Sequence, residues 1–132
     1  MTRRRVAAIT AYIGAAMVLG TAAWHQSGYT WVTTLAAQAS PDVEPLMAAL
    51  WVSFALTLVL TAGLVLVVAR VGAPNRAAVL AIAALSPLGG AAVQLAYIGF
   101  MAPTALLLAD ALMILIAAAA GHSPRSVPAA AT

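Results

Sequence analysis

The sequence has no cysteine and no lysine, and its acids number only three, Asp42, Glu44 and Asp110, in 132 residues. Without cysteine there are no disulfides, no thiolate chemistry and no cysteine-ligated metal. Charged residues make up 7% of the chain and aromatic ones 6%, where a soluble domain carries about a quarter of its residues charged. Nucleic-acid binding needs a basic stripe on a folded surface. The six basic residues are all arginine, and three of them, Arg3, Arg4 and Arg5, sit together directly before an apolar run. There is no phosphate-cradling glycine loop, no nucleophile elbow and no metal-binding histidine pair. No cofactor or metal is therefore expected, and no motif speaks for an enzyme.

What remains is apolar: 64% of the residues are hydrophobic. A bilayer core takes about 20 mostly apolar residues per helix, and four stretches qualify, Val6 to Ala23, Leu46 to Ala69, Ala77 to Gly99 and Pro103 to Ala120. Lipid offers no partner to an open backbone group, so these stretches must be helices. The expected fold is an all-α integral membrane protein, a four-transmembrane-helix bundle over residues 1–121 with an outer loop over 24–45. The tail, 122–132, has too little to bury and is expected to be disordered.

Arginine placement predicts orientation. Arg3 to Arg5 precede the first stretch, Arg70 and Arg76 flank the link between the second and third, and Arg125 follows the fourth. The other two connections hold no basic residue. The positive-inside rule then predicts N-in and C-in topology in the cell membrane, with both termini cytoplasmic and Asp42 and Glu44 outside. A competing expectation concerns the first stretch, whose basic start and small residues Thr21, Ala22 and Ala23 also resemble a cleavable secretory signal. Its apolar length up to Trp24 favours a span.

Trp24, Tyr29 and Trp31 in the outer loop are amphipathic rings suited to the headgroup level, and residues 29–39 can form a short surface helix. The run Ser40 to Pro45 reads as a helix start, with Ser40 or Asp42 as N-cap and acids favoured by the helix dipole. In the first stretch, Ala7, Ala11 and Ala15, and also Ala16 and Gly20, recur at a spacing of four. Such faces let helices approach closely.

Asp110 is the only acid inside a span, seven residues past Pro103 and so ~10 Å from that end of its helix. A carboxylate in hydrocarbon costs at least about 2.5 kcal/mol, and residues of this kind turn toward the bundle interior. It is the candidate proton donor or acceptor. The third stretch holds Ser86-Pro87-Leu88-Gly89-Gly90; Pro87 has no N–H for the Ala83 carbonyl, which predicts a kink. Helical rise puts Pro87 and Asp110 at the same depth, each ~16 Å from the arginine end. Discontinuous helices at mid-membrane mark binding sites in transporters. Alternatively, a neutral Asp110 bonds the Ala83 carbonyl or the Ser86 hydroxyl and only ties two helices.

Further candidate ligand-binding residues are Gln94 and Tyr97 above Pro87, and Ser53 and Thr57 on the second stretch, in line with Thr61. Serine and threonine also commonly bond the preceding turn's carbonyl. Trp51, ~28 Å from Arg70, suits either an interfacial belt or a ligand platform. His25, Asp42 and Glu44 share a loop, but their spacing matches no known metal motif. In size and helix count the chain resembles the small multidrug resistance transporters. Their hallmark acid in the first helix is missing here, so no family is assigned.

Three functions remain open. The first is a non-enzymatic accessory or apolar-ligand-binding component with an outward-facing polar site around Asp110. The second is a proton-coupled carrier acting as a homodimer. The third is a membrane-embedded enzyme, of isomerase or cyclase type, using Asp110 as general acid. The expected partners are the lipid bilayer, a lipophilic ligand and a second copy or larger membrane complex, with no nucleic acid.

Overall fold

The computed structural model describes residues 2–72 and 74–121. The 122–132 tail, with its expected disorder, lies outside them. Six helices follow one another: α1 (Arg3–Ser27), α2 (Tyr29–Ala39), α3 (Val43–Val71), α4 (Arg76–Ala83), α5 (Leu85–Tyr97) and α6 (Ala102–Gly121), with no strand among the described residues. Four helical runs are long and apolar enough to cross a membrane, Arg4–Ser27, Val43–Val71, Arg76–Tyr97 and Ala102–Gly121.

Their outward faces fit that use. Ile13, Val52, Leu60, Val67, Ile82 and Leu112 are all exposed. In water such a continuous apolar surface would drive association, whereas acyl chains solvate it.

The core follows from small residues on α1. Ala7, Ala11, Ala15, Val18 and Ala22 form a buried stripe, and α1 packs extensively on both α6 and α3. Because an alanine projects only a methyl group, the backbones can come close and dispersion contacts accumulate. Facing them are Leu58, Ala62 and Val65 of α3 and Ile114, Ala117 and Ala118 of α6, all in one buried cluster. The second small-residue line, Ala16 and Gly20, is exposed. Helix α6 also carries α4 and α5, while α3 meets α5 at few residues. The bundle is thus closed around an α1–α6 seam and open between α3 and α5.

Local signals explain the breaks. At the end of α3, Gly72 has φ 67°, the left-handed conformation that glycine adopts without steric cost, and its N–H donates to the Val68 carbonyl at 3.2 Å. The third span is divided at Ala84 into α4 and α5. Helical bonding resumes beyond Pro87, where the Leu88 N–H donates to the Ala84 carbonyl at 3.2 Å. At the start of α3, Asp42 occupies the N-cap position without a side-chain cap bond. Ser40 shapes the turn instead, its Oγ accepting from the Asp42 N–H at 3.3 Å. Helix α2 buries Thr33 and Ala36, packs on α3 and leaves Trp31 67% exposed.

Candidate functional site

The open side of the bundle forms a groove of about 460 Å³, its walls contributed by the end of α1, the first half of α3, and α5. His25, Trp51, Phe54, Thr57, Ser86, Gly90 and Gln94 line it, with Leu50 and Val93 among the apolar residues. None of the lining residues is Asp, Glu or Arg.

One end of the groove is held by a reciprocal clasp. Trp51 Nε1–H donates to the His25 carbonyl at 3.0 Å, while His25 Nε2 lies 3.2 Å from the Trp51 carbonyl. The two rings stack with centroids 3.9 Å apart. A carbonyl can only accept, so the geometry assigns the proton to Nε2 and leaves Nδ1 of the neutral ring as an acceptor. Two backbone-directed hydrogen bonds and a stacked pair fix the end of α1 against α3.

Phe54 sits between the clasp and α5, edge-on to His25 with centroids 4.9 Å apart. Gly90 makes room for it: a Cβ there would come within 2.8 Å of Phe54 Cζ and 3.3 Å of Leu107 Cδ1. This contact is the floor of the groove, with Leu107 of α6 behind it.

The polar groups differ in what they have left to offer. Thr57 Oγ1 donates to the Ser53 carbonyl at 2.8 Å, and Thr61 Oγ1 to the Thr57 carbonyl at 2.8 Å. Their hydrogens are therefore used within α3, and the oxygens can still accept. Thr104 Oγ1 donates to Gln94 Oε1 at 3.0 Å, which leaves the amide N–H donors of Gln94 for other partners. Ser86 Oγ is buried and has no hydrogen-bond partner.

Asp110 does not line the groove. It is 1% exposed, within the core. Thr21 of α1 faces it, but neither carboxyl oxygen meets any group in hydrogen-bonding geometry. The bond from Asp110 to Ser86 or the Ala83 carbonyl, one of the two alternatives for this acid, does not form. Of the other candidates, the groove brings together Trp51, Thr57, Ser86 and Gln94. Ser53 is exposed and Tyr97, 86% exposed, stands at the end of α5; neither lines the groove. Among the described residues, no three His, Asp or Glu side chains gather as metal ligands would.

His25 and Phe54 belong to the site without having been singled out as ligand-binding residues. His25 carries a local signal, an imidazole within one helical turn of a cluster of aromatic belt residues, but its pairing with Trp51 spans 26 positions. Phe54 has a signal only together with Gly90, an aromatic and a glycine on neighbouring spans. The chain matches no family model, no curated protein and no solved structure.

Proposed function

We propose that this chain is a non-enzymatic membrane protein that takes a lipophilic ligand sideways from the bilayer into the α3–α5 groove. The observation that carries the proposal is the groove itself: about 460 Å³ of mostly apolar, uncharged space where two membrane-length helices part company. Ligand sites of that character combine an apolar lining with a few placed polar groups.

Orientation belongs to the same proposal. Arg4 and Arg5 at the start of α1, Arg70 at the end of α3 and Arg76 at the start of α4 fall at one end of the antiparallel bundle. This supports N-in topology in the cell membrane, with the His25–Trp51 end outside. The division of the third span at Ala84, just before Pro87, supports a bend at that depth.

The test is to fill the groove. Purified from its membrane in mild detergent, the wild-type protein is expected to retain a lipophile in native mass spectrometry. Val93→Trp, on the groove wall, is expected to lose it with helix content unchanged. A wild-type protein that carries nothing but detergent, with membrane lipid extract added back, refutes the proposal.

A second reading, the proton-coupled carrier, rests on Asp110. A carboxyl buried in the core costs free energy to desolvate, and among the described residues Thr21 is the one polar side chain that faces it, so its presence favours a role beyond packing. In proteoliposomes, Asp110→Asn is expected to abolish uptake driven by a proton gradient while leaving ligand binding in place. Gradient-driven uptake that survives the substitution removes this reading.

A further inference from the structure

We infer that the ligand of the groove is an uncharged lipophile with a hydroxyl at each end, an apolar diol; the inference rests on the groove being a binding site. Two polar pairs, one at each end of the groove, point to it. At the clasped end, His25 Nδ1 is an acceptor and Gln94 offers amide N–H donors. At the other end, Thr57 Oγ1 has its hydrogen engaged and can only accept, while Ser86 Oγ–H has no partner and can donate. Each pair combines one acceptor with one donor, which is the complement of a hydroxyl group. Ser86 Oγ is buried where it stands, and rotating about χ1 to reach the groove that the rest of the residue lines breaks no hydrogen bond.

Between the pairs the walls are apolar or aromatic, with Leu50, Phe54, Gly90 and Val93. Helical rise sets the ligand's length. Ser86 and Gln94 on α5 are ~12 Å apart along the helix, and Trp51 and Thr57 on α3 are ~9 Å apart. The two walls agree on a span of about that size. A lipid acyl chain reaching the Thr57–Ser86 level would leave the Ser86 donor unpaired, in surroundings where each unmet hydrogen bond is costly. An ionised head group is disfavoured because no lining residue is Asp, Glu or Arg.

The experiment compares three unbranched probes of equal carbon number, an α,ω-diol, the corresponding mono-alcohol and the alkane. Binding is read with carbon-14-labelled probes, as label retained by protein-loaded over empty phosphatidylcholine nanodiscs. Each affinity is expressed on the probe's concentration in the bilayer, measured with empty nanodiscs, so that probes as well as variants can be compared. The diol is expected to bind most tightly to the parent protein. Ser86→Ala and Thr57→Val, each a small change of shape, are expected to weaken the diol about tenfold and leave the mono-alcohol unchanged. A mono-alcohol that binds the parent protein as tightly as the diol overturns the inference, as does diol binding that neither variant weakens. If none of the three probes is retained above empty nanodiscs, the groove is not a binding site for lipophiles, and the underlying proposal falls as well.

Discussion

Gly90 and Phe54 show how much of the site depends on one missing side chain. The Cβ of an alanine at 90 would lie 2.8 Å from Phe54 Cζ, closer than packed carbons come, and the flexible end of the phenylalanine is what would yield. Gly90→Ala is therefore expected to displace the Phe54 ring and narrow the groove. Ligand affinity should fall severalfold while the thermal midpoint moves by only a few degrees, because alanine is also the better helix former by about 1 kcal/mol. Ligand titration beside a melting curve checks this, and unchanged affinity would show that Phe54 does not form the floor. At this scale the sequence was partly legible. A serine beside a helix-breaking proline, a mid-span glutamine and a threonine at helical spacing are visible as polar exceptions in an apolar chain, and the groove holds Ser86, Gln94 and Thr57. Which exceptions share a space was not legible. Asp110, the strongest exception of all, is buried in the core beside Thr21, where an acid inside a span is expected; that it does not line the groove with Ser86 and Gln94 was not legible, because helical rise predicts depth and leaves the rotation of each helix undetermined.

Among the elements, α1 carries two functions on different faces. Its alanine stripe seals the seam with α6 and α3, and its last turn reaches past the apolar stretch to place His25 against Trp51. The alanine stripe was legible, since a spacing of four marks a close-packing face. The extension to Ser27 was not, because hydropathy reports where lipid ends, whereas helical hydrogen bonding continues until the backbone finds a better partner. Trp51→Phe keeps the stacked ring but removes the N–H that bonds the His25 carbonyl. The expected loss is about 1 kcal/mol, read as a lower unfolding midpoint in dodecyl sulfate titration. Amide exchange should rise at residues 24–27 and stay unchanged at the buried alanines. Equal exchange at both places would mean that the clasp does not act locally.

For the whole molecule, the natural absence of cysteine makes topology directly measurable. Single cysteines at Thr2 and Phe100, in right-side-out cells, are expected to react differently with a membrane-impermeant maleimide: Phe100→Cys labels, and Thr2→Cys labels only after lysis. The reverse pattern would invert the orientation argued from the arginines. The helical class and the number of membrane-length runs were legible in composition and run length alone. The pairing of helices was not, since a short connection fixes only one end of two consecutive spans, and α5, the far part of the third, meets α3 at few residues. That separation has a mechanical side. Only residues 72–75 lie between α3 and α4, at the arginine end, so the two sides of the groove are tethered there, while α3 and α5 meet at few residues beyond it. Under the proposed sideways entry from the bilayer, the aperture would be set by the surrounding lipid as much as by the protein: tightly ordered acyl chains would press the walls together, and loosely packed ones would let them spread. Occupancy of the groove would then follow the lateral pressure of one leaflet, making the protein's activity a property of the membrane in which it sits.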